Sequence, residues 1–194
     1  MFLVRRPTPV VSALLCLILG NLLNGDARAN SFWDLIQRPG VHVIMRHALA
    51  PGTGDPDAFS LEDCSTQRNL DDRGRAQARS TGAAFRQNEI VFDRVLTSQW
   101  CRCRETAELL ALGGYEDFLS LNSFFEDRST AAGQTEDLKR YIGSLSGAER
   151  VFFVTHRVNI SALTGRAVRS GEVFLISQNS DGTIEVLDSL IVQP

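Results

Sequence analysis

Lysine is almost missing from this chain: of 20 basic residues in 194, nineteen are arginine and Lys139 stands alone. Arginine and lysine replace each other on most solvated surfaces, but not where a phosphate is gripped bidentately. A codon bias and a phosphate-binding role both account for the imbalance, and composition does not choose between them. Histidine is scarce as well, with three residues, and cysteine with four. No apolar run approaches the about 20 residues of a membrane span; the longest, Val10 to Leu23, has about 14 and is broken by Ser12, Gly20 and Asn21. The formal net charge is −3, which excludes a broad basic surface for nucleic acid. With 43% apolar and 22% charged side chains the chain does not read as disordered, and it is short for two full-sized domains. Repeats and low-complexity tracts are absent, and no linker composition occurs after residue 30.

The first residues read as a targeting segment. Arg5 and Arg6 supply a positive start, the short apolar run follows, and Ala27-Arg28-Ala29 offers the small-x-small pattern of a cleavage site. Residues 1–29 are therefore expected to be a cleaved signal peptide, with residues 30–194 a single domain; an uncleaved anchor helix is the alternative. Cys16 sits in a poor lipoprotein context, and the arginine pair lacks the apolar pair that follows a twin-arginine motif. The expected location is periplasmic or secreted, with no stable membrane insertion after cleavage. Removing residues 1–29 takes away three arginines and one aspartate, so the formal charge moves from −3 to −5. Cys64, Cys101 and Cys103 remain. In an oxidising compartment, one disulfide and one leftover thiol is the natural arithmetic. A zinc site is the competing reading, but the Cys-x-Cys spacing is wrong for a zinc knuckle and no histidine is near in sequence.

Strands and helices alternate along the rest. Strands are expected at 42–45, 94–97 and 150–155, with a short one at 118–121. Helices are expected at 70–87, at 100–112 closed by Gly113-Gly114, after a polar loop at 122–134 to about 145, and at 160–166. Residues 172–177 and 183–192 read as a strand pair joined by Asn179-Ser180-Asp181-Gly182. This alternation predicts an α/β three-layer sandwich, a mostly parallel sheet with helices on both faces. In such a sheet ligands collect at the carboxyl ends of the strands.

Three strand ends carry unusual chemistry. Arg46-His47-Ala48 ends the first, Thr97-Ser98 the second with Arg102 opening the next helix, and Thr155-His156-Arg157 the fourth. Two of the three histidines thus sit at strand ends. A lone histidine there is usually a structural polar group. Two of them, with arginines and a helix N-terminus, suit an anion site beside a neutral imidazole nucleophile.

Here the chain resembles the histidine phosphatases, the phosphoglycerate-mutase-like superfamily. Met45-Arg46-His47-Ala48 is similar to the family's Arg-His-Gly signature, and the segment from Ser98 to Ala107 to its Ser-x-x-x-Arg-Ala-x-x-Thr-Ala pattern. Leu70-x-x-x-Gly74-x-x-Gln77-Ala78 resembles the helix between those motifs, and Val154-Thr155-His156 with Ala162-Leu163 the second-histidine block. Ala48 stands where Gly is usual, and Arg157 where Gly often follows the second histidine. The signal sequence points to the small exported branch, which includes enzymes proposed to act on lipopolysaccharide heptose phosphate.

The resemblance implies a phosphomonoesterase working through a phosphohistidine on His47, without cofactor or metal, on a small phosphorylated substrate. Arg46 and Arg102 would bind the phosphoryl oxygens, His156 would add a hydrogen bond or charge, and Arg68 one more contact unless it serves the helix entry. Glu126 is the expected proton donor, with Asp127 next. A non-catalytic phosphate- or sugar-phosphate-binding protein is the alternative function. A mutase fits poorly with a short exported chain, and a phytase-like reading with Arg157 after the second histidine. Because the family's position after the pocket arginine faces the core, Cys103 is expected to be a buried thiol and Cys64–Cys101 the bridge. His42 is expected to be a packed residue. Phe124 and Phe125 suit either the core or a substrate mouth, and Arg73, Arg75 and Arg79 a solvated face.

Overall fold

The computed structural model describes residues 32–193. The expected signal peptide, residues 1–29, lies outside them. One six-stranded sheet organises the fold: β1 (His42–Arg46), β2 (Arg94–Thr97), β3 (Tyr115–Asp117), β4 (Val151–Thr155), β5 (Glu172–Gln178) and β6 (Ile184–Ile191), in the spatial order β3-β2-β4-β1-β5-β6. Only β5 runs against the others, since it is antiparallel to both β1 and β6. The four main helices are α1 (Asp72–Gln87), α2 (Cys101–Leu110), α3 (Ala131–Ser144) and α4 (Arg157–Thr164).

Strand alternation divides the apolar side chains into two cores. Val43, Met45, Phe152, Val154, Val173 and Leu175 face one way, where Ala78, Phe85, Ala107 and Leu110 of α1 and α2 cover them. Ile44, Val151, Phe153, Phe174 and Ile176 face the other way, against Leu138 and Ile142 of α3 and Ile160 and Leu163 of α4. Strands buried on both faces read as unbroken apolar runs, as β4 does. The three-layer α/β sandwich expected from the sequence is the fold observed.

Several element boundaries differ from the expectation, among them α3, which starts at Ala131 inside the expected loop 122–134. The third strand is 115–117, not 118–121, which forms a 3-10 turn at Leu119–Leu121. The strand lies at the sheet edge with every side chain exposed, Glu116 and Asp117 paired to Arg94 and Arg104, so it has no apolar signature. The apolar signal downstream belongs to Leu121, which is fully buried below the turn. Helix α2 ends at Leu110, before the glycine pair, because Ala111 takes the left-handed conformation at φ 49° and Arg86 Nη1 donates to the Leu110 carbonyl at 2.5 Å. Helix α4 begins at Arg157 rather than 160, directly after His156. The hairpin turn closes as expected, with Asn179 N–H donating to the Thr183 carbonyl. His42 is packed, its Nδ1 3.4 Å from the Val151 N–H.

Candidate active site

Parallel pairing brings the two histidines together. β1 and β4 run in register, Arg46 opposite Thr155, and the His47 N–H extends the ladder to the Thr155 carbonyl at 2.9 Å. The next residue of each strand, His47 and His156, therefore leaves the sheet at one level, with ring centroids 5.5 Å apart. Both are buried. β2 adds its end on the other side of β4: the Ser98 N–H donates to the Val154 carbonyl, and α2 starts three residues later, carrying Arg102 inward.

Other motif residues hold this exit in place. Thr106 Oγ1 accepts the Ala48 N–H at 3.1 Å and donates to the Arg102 carbonyl at 2.6 Å, tying the turn after His47 to the helix of Arg102. Gln77 Oε1 accepts the Leu49 N–H. Gly74 lets α1 press on the same turn, since a Cβ there would lie 2.0 Å from the Leu49 carbonyl oxygen. Ala48 is buried and is not among the positive-φ residues, so the position where glycine is usual accepts alanine without strain.

His47 Nδ1 lies 2.8 Å from the Ala48 carbonyl oxygen, which can only accept; Nδ1 therefore carries the proton and Nε2 the lone pair. Burial holds the His47 pKa well below the ordinary imidazole range, and Arg102 adds to the effect. His156 is likewise pushed well below it by burial and then by Arg102. Its Nε2 is 2.8 Å from Ser98 Oγ, and its Nδ1 faces Arg102 Nη2 at 3.4 Å. An arginine is always a donor, so Nδ1 accepts and Nε2–H donates to the serine.

A residue absent from the sequence reading, Asp55, sits among these groups. Its carboxylate takes both terminal nitrogens of Arg102, at 2.8 and 3.1 Å, and accepts from Trp100 Nε1 and the Arg68 N–H at 3.0 Å each. Burial alone would raise its pKa; hydrogen bonds from Arg102 and the Arg68 backbone outweigh this and leave it lowered. One of two aspartates, Asp55 and Asp57, in a Gly- and Pro-rich loop gives no local pattern, and only the folded loop carries Asp55 to Arg102. Arg68 also holds that loop, with Nε donating to Gly54 O at 2.7 Å and Nη1 to Ala50 O at 2.5 Å.

Around the histidines lies a cavity of about 290 Å³ that Arg46, Arg68, Arg102, Asp55 and Glu126 help to line. Burial lowers the Arg46 pKa to about 10, with Arg68, Arg157 and Arg102 contributing. Arg46 Nε and Arg102 Nε are buried without any hydrogen-bond partner, two of four such side-chain atoms among the described residues. Glu126 is exposed at the mouth, facing Gly54 across it. Asp127 instead caps the 3-10 turn Arg128–Thr130, and hydrogen bonds from Ser129 hold its carboxyl below the usual range. Phe124 is core, whereas Phe125 lines the cavity. Arg73 and Arg75 are paired with Asp71, Asp72 and Glu105 on the outer face of α1. Cys64 and Cys101 are paired with Cα atoms 5.7 Å apart, and Cys103 is a buried free thiol, 3.5 Å from His156 Nε2, that burial pushes up to about 12.

Comparison with known proteins agrees with this geometry. The model of the histidine phosphatase superfamily (branch 1) matches residues 43–119. Over 68 residues the chain is 34% identical to the mitochondrial serine/threonine-protein phosphatase Pgam5 of Drosophila virilis, covering 35% of this chain and 21% of that protein. The Pgam5 of Drosophila grimshawi is 32% identical over the same length. The chain thus spans about a fifth of these curated relatives. Among solved structures, the protein histidine phosphatase SixA complexed with tungstate superposes with a TM-score of 0.57 at 17% identity, covering 78% of this chain and 96% of SixA. The α-ribazole phosphatase of Shigella flexneri gives 0.53 at 15%, covering 79% and 96%. The matched stretch holds the first histidine, His47, the helix arginine, Arg102, and strands β1 to β3, so this part of the chain is similar to the histidine phosphatase superfamily, and the solved structures share its fold.

Proposed function

We propose that this chain is an exported phosphomonoesterase that works through a phosphohistidine on His47. The observation that carries the reading is the pair of orphaned guanidinium N–H groups, on Arg46 and Arg102, beside a histidine whose Nε2 lone pair is free. Buried donors without partners are rare and mark the place of an acceptor. A phosphoryl group has the oxygens they need, and phosphoryl transfer asks chiefly for positioning and charge neutralisation.

His47 Nε2 attacks phosphorus in line, and the P–O bond to the leaving group breaks as the N–P bond forms. Nδ1–H stays on the Ala48 carbonyl and fixes the ring throughout. The leaving alkoxide takes a proton from Glu126 at the mouth. Glu126 then removes a proton from water, whose oxygen attacks phosphorus, breaks the N–P bond and releases inorganic phosphate. Arg46, Arg68 and Arg102 balance the charge on the equatorial oxygens. His156, held neutral by burial and by Arg102, becomes a proton acceptor once a dianion offsets the arginines. Export is supported by Arg5-Arg6, the apolar run and Ala27-Arg28-Ala29. The substrate class favoured by the resemblance is a sugar or lipopolysaccharide phosphate.

Rapid quench of the enzyme with ³²P-labelled aryl phosphate into alkaline detergent tests the mechanism. Label should appear on protein as an acid-labile, alkali-stable adduct, and His47→Ala should abolish both adduct and turnover. A variant retaining more than a few per cent of activity would remove His47 from the role. Phosphate binding with no turnover in wild type would make the chain a binding protein instead.

A further inference from the structure

We infer that Asn122, which does not line the cavity, is a positioning residue that fixes the proton of His156 on Nε2 by way of Ser98 and so keeps Nδ1 as the acceptor on the Arg102 side. The order of protons stands on geometry alone; its use in turnover rests on the phosphatase reading. That order starts at a group that cannot be reversed. The backbone N–H of Gln99 can only donate, and it points at one atom of the Asn122 amide at 2.9 Å, which is therefore the oxygen, Oδ1. The other atom, Nδ2, donates to Gln99 Oε1 at 2.8 Å, so both ends of the amide agree. Ser98 Oγ lies 3.3 Å from Oδ1, which has no proton to give, so the single O–H of the serine points there. Two lone pairs remain on Ser98. One accepts the Trp100 N–H at 3.3 Å, and the other faces His156 Nε2 at 2.8 Å. Nε2 must then carry the proton.

The other neighbours of the ring are weaker guides. Arg102 Nη2 asks for the same tautomer, but 3.4 Å is long for a hydrogen bond. Cys103 Sγ, 3.5 Å from Nε2, is a weak partner, and its S–H has the Thr155 carbonyl at 3.8 Å. Arg46, Arg68 and His47 also bear on the ring, and like Arg102 they disfavour its charge without choosing a nitrogen. Asn122 is itself held from three sides. Its N–H donates to the Leu119 carbonyl at 2.9 Å, and its own carbonyl accepts Gln134 Nε2 of α3 and Asn159 Nδ2 of α4, at 2.8 Å each. Remove the amide oxygen and the Ser98 O–H is free to turn towards Nε2. The ring proton then moves to Nδ1, where it meets a guanidinium with nothing to accept it. The lone pair faces the serine instead of the Arg102 side, where the phosphatase reading puts the phosphoryl group.

Nitrogen-15 NMR of the histidine-labelled protein tests this before any turnover is measured, with His156→Gln to assign the signals. In wild type, His156 should show a protonated Nε2 and an unprotonated Nδ1. Asn122→Leu and Ser98→Ala should each weaken that preference to a mixture of tautomers. Asn122→Asp, which keeps the accepting oxygen, should preserve it. With an aryl phosphate, Asn122→Leu should lower kcat roughly tenfold, the scale of one lost hydrogen bond. Adding it to Ser98→Ala should cost little more, since one acts through the other. A wild-type ring protonated on Nδ1, or a tautomer unmoved in both Asn122→Leu and Ser98→Ala, would overturn the inference. So would additive losses of kcat, which would reduce Asn122 to a support for the loop that carries Glu126. The expected tautomers without hydrolysis of any phosphate monoester would sink the catalytic reading alone and leave the proton order standing.

Discussion

Burial forces both pocket histidines to stay neutral, because water that would solvate an imidazolium is excluded and the neighbouring guanidinium groups repel it. The sign for stability follows. The folded pKa values lie below the unfolded value of about 6.5, so the unfolded chain binds more protons as pH falls through that value. The histidines' contribution is complete above about pH 6.5 and is lost below it. The urea midpoint should therefore drop between about pH 7.5 and 5, and less steeply in His156→Gln. Saturating inorganic phosphate should flatten the slope by raising both pKa values. An unchanged slope in the variant would place the titration elsewhere.

Asp55 acts at the same scale but through a neighbour. Its carboxylate sets the plane of Arg102, so Asp55→Asn keeps the shape and loses the charge. Arg102→Ala should cost on the order of 3 kcal/mol in the transition state, the loss of one preorganised charge-stabilising donor. Asp55→Asn should lower kcat by roughly tenfold with little change in KM, a fraction of that effect. The double variant should fall little below Arg102→Ala alone, because the two act as a unit. Additive losses would mean that Asp55 meets the substrate directly.

Between elements, two glycines set how closely α1 approaches its neighbours. At Gly82 a Cβ would lie 1.9 Å from the Leu110 carbonyl oxygen at the end of α2, a backbone atom that cannot swing aside. Gly82→Ala should cost about 3 kcal/mol, or roughly 6–12 °C in Tm for a chain this size. Gly133, in α3, has nothing within 4 Å of its would-be Cβ, so Gly133→Ala should stabilise by up to about 1 kcal/mol through helix propensity alone. Thermal melts of the pair separate close approach from propensity. Equal shifts would contradict the packing.

For the molecule as a whole, the Cys64–Cys101 pair links the loop that carries Arg68 to the helix that carries Arg102, across a sequence separation of 37 residues. The proposed export predicts that this pair is oxidised. Thiol titration of the denatured, unreduced chain 30–194 should count one thiol, Cys103; a count of three would show a reduced protein. Reduction should then lower stability by about 3–4 kcal/mol, the loop-entropy scale for that span. Activity should fall with it as Arg68 and its loop loosen.

The sequence by itself determined the layered fold, because strands buried on both faces and helices of amphipathic period leave their pattern in the order of residues. It also determined the His47, Arg102 and His156 constellation, since each follows a strand end or opens a helix, and in-register parallel strands bring such positions together. The edge strand 115–117 escaped because its exposed, ion-paired side chains carry no apolar period. Asp55 escaped because its role is a contact across 47 residues, made by a loop whose path is fixed by Arg68 and two positive-φ glycines, Gly52 and Gly54. Helix and strand signals are local sums of side-chain preference; a buried ion pair between distant segments is decided only when the chain has closed around it.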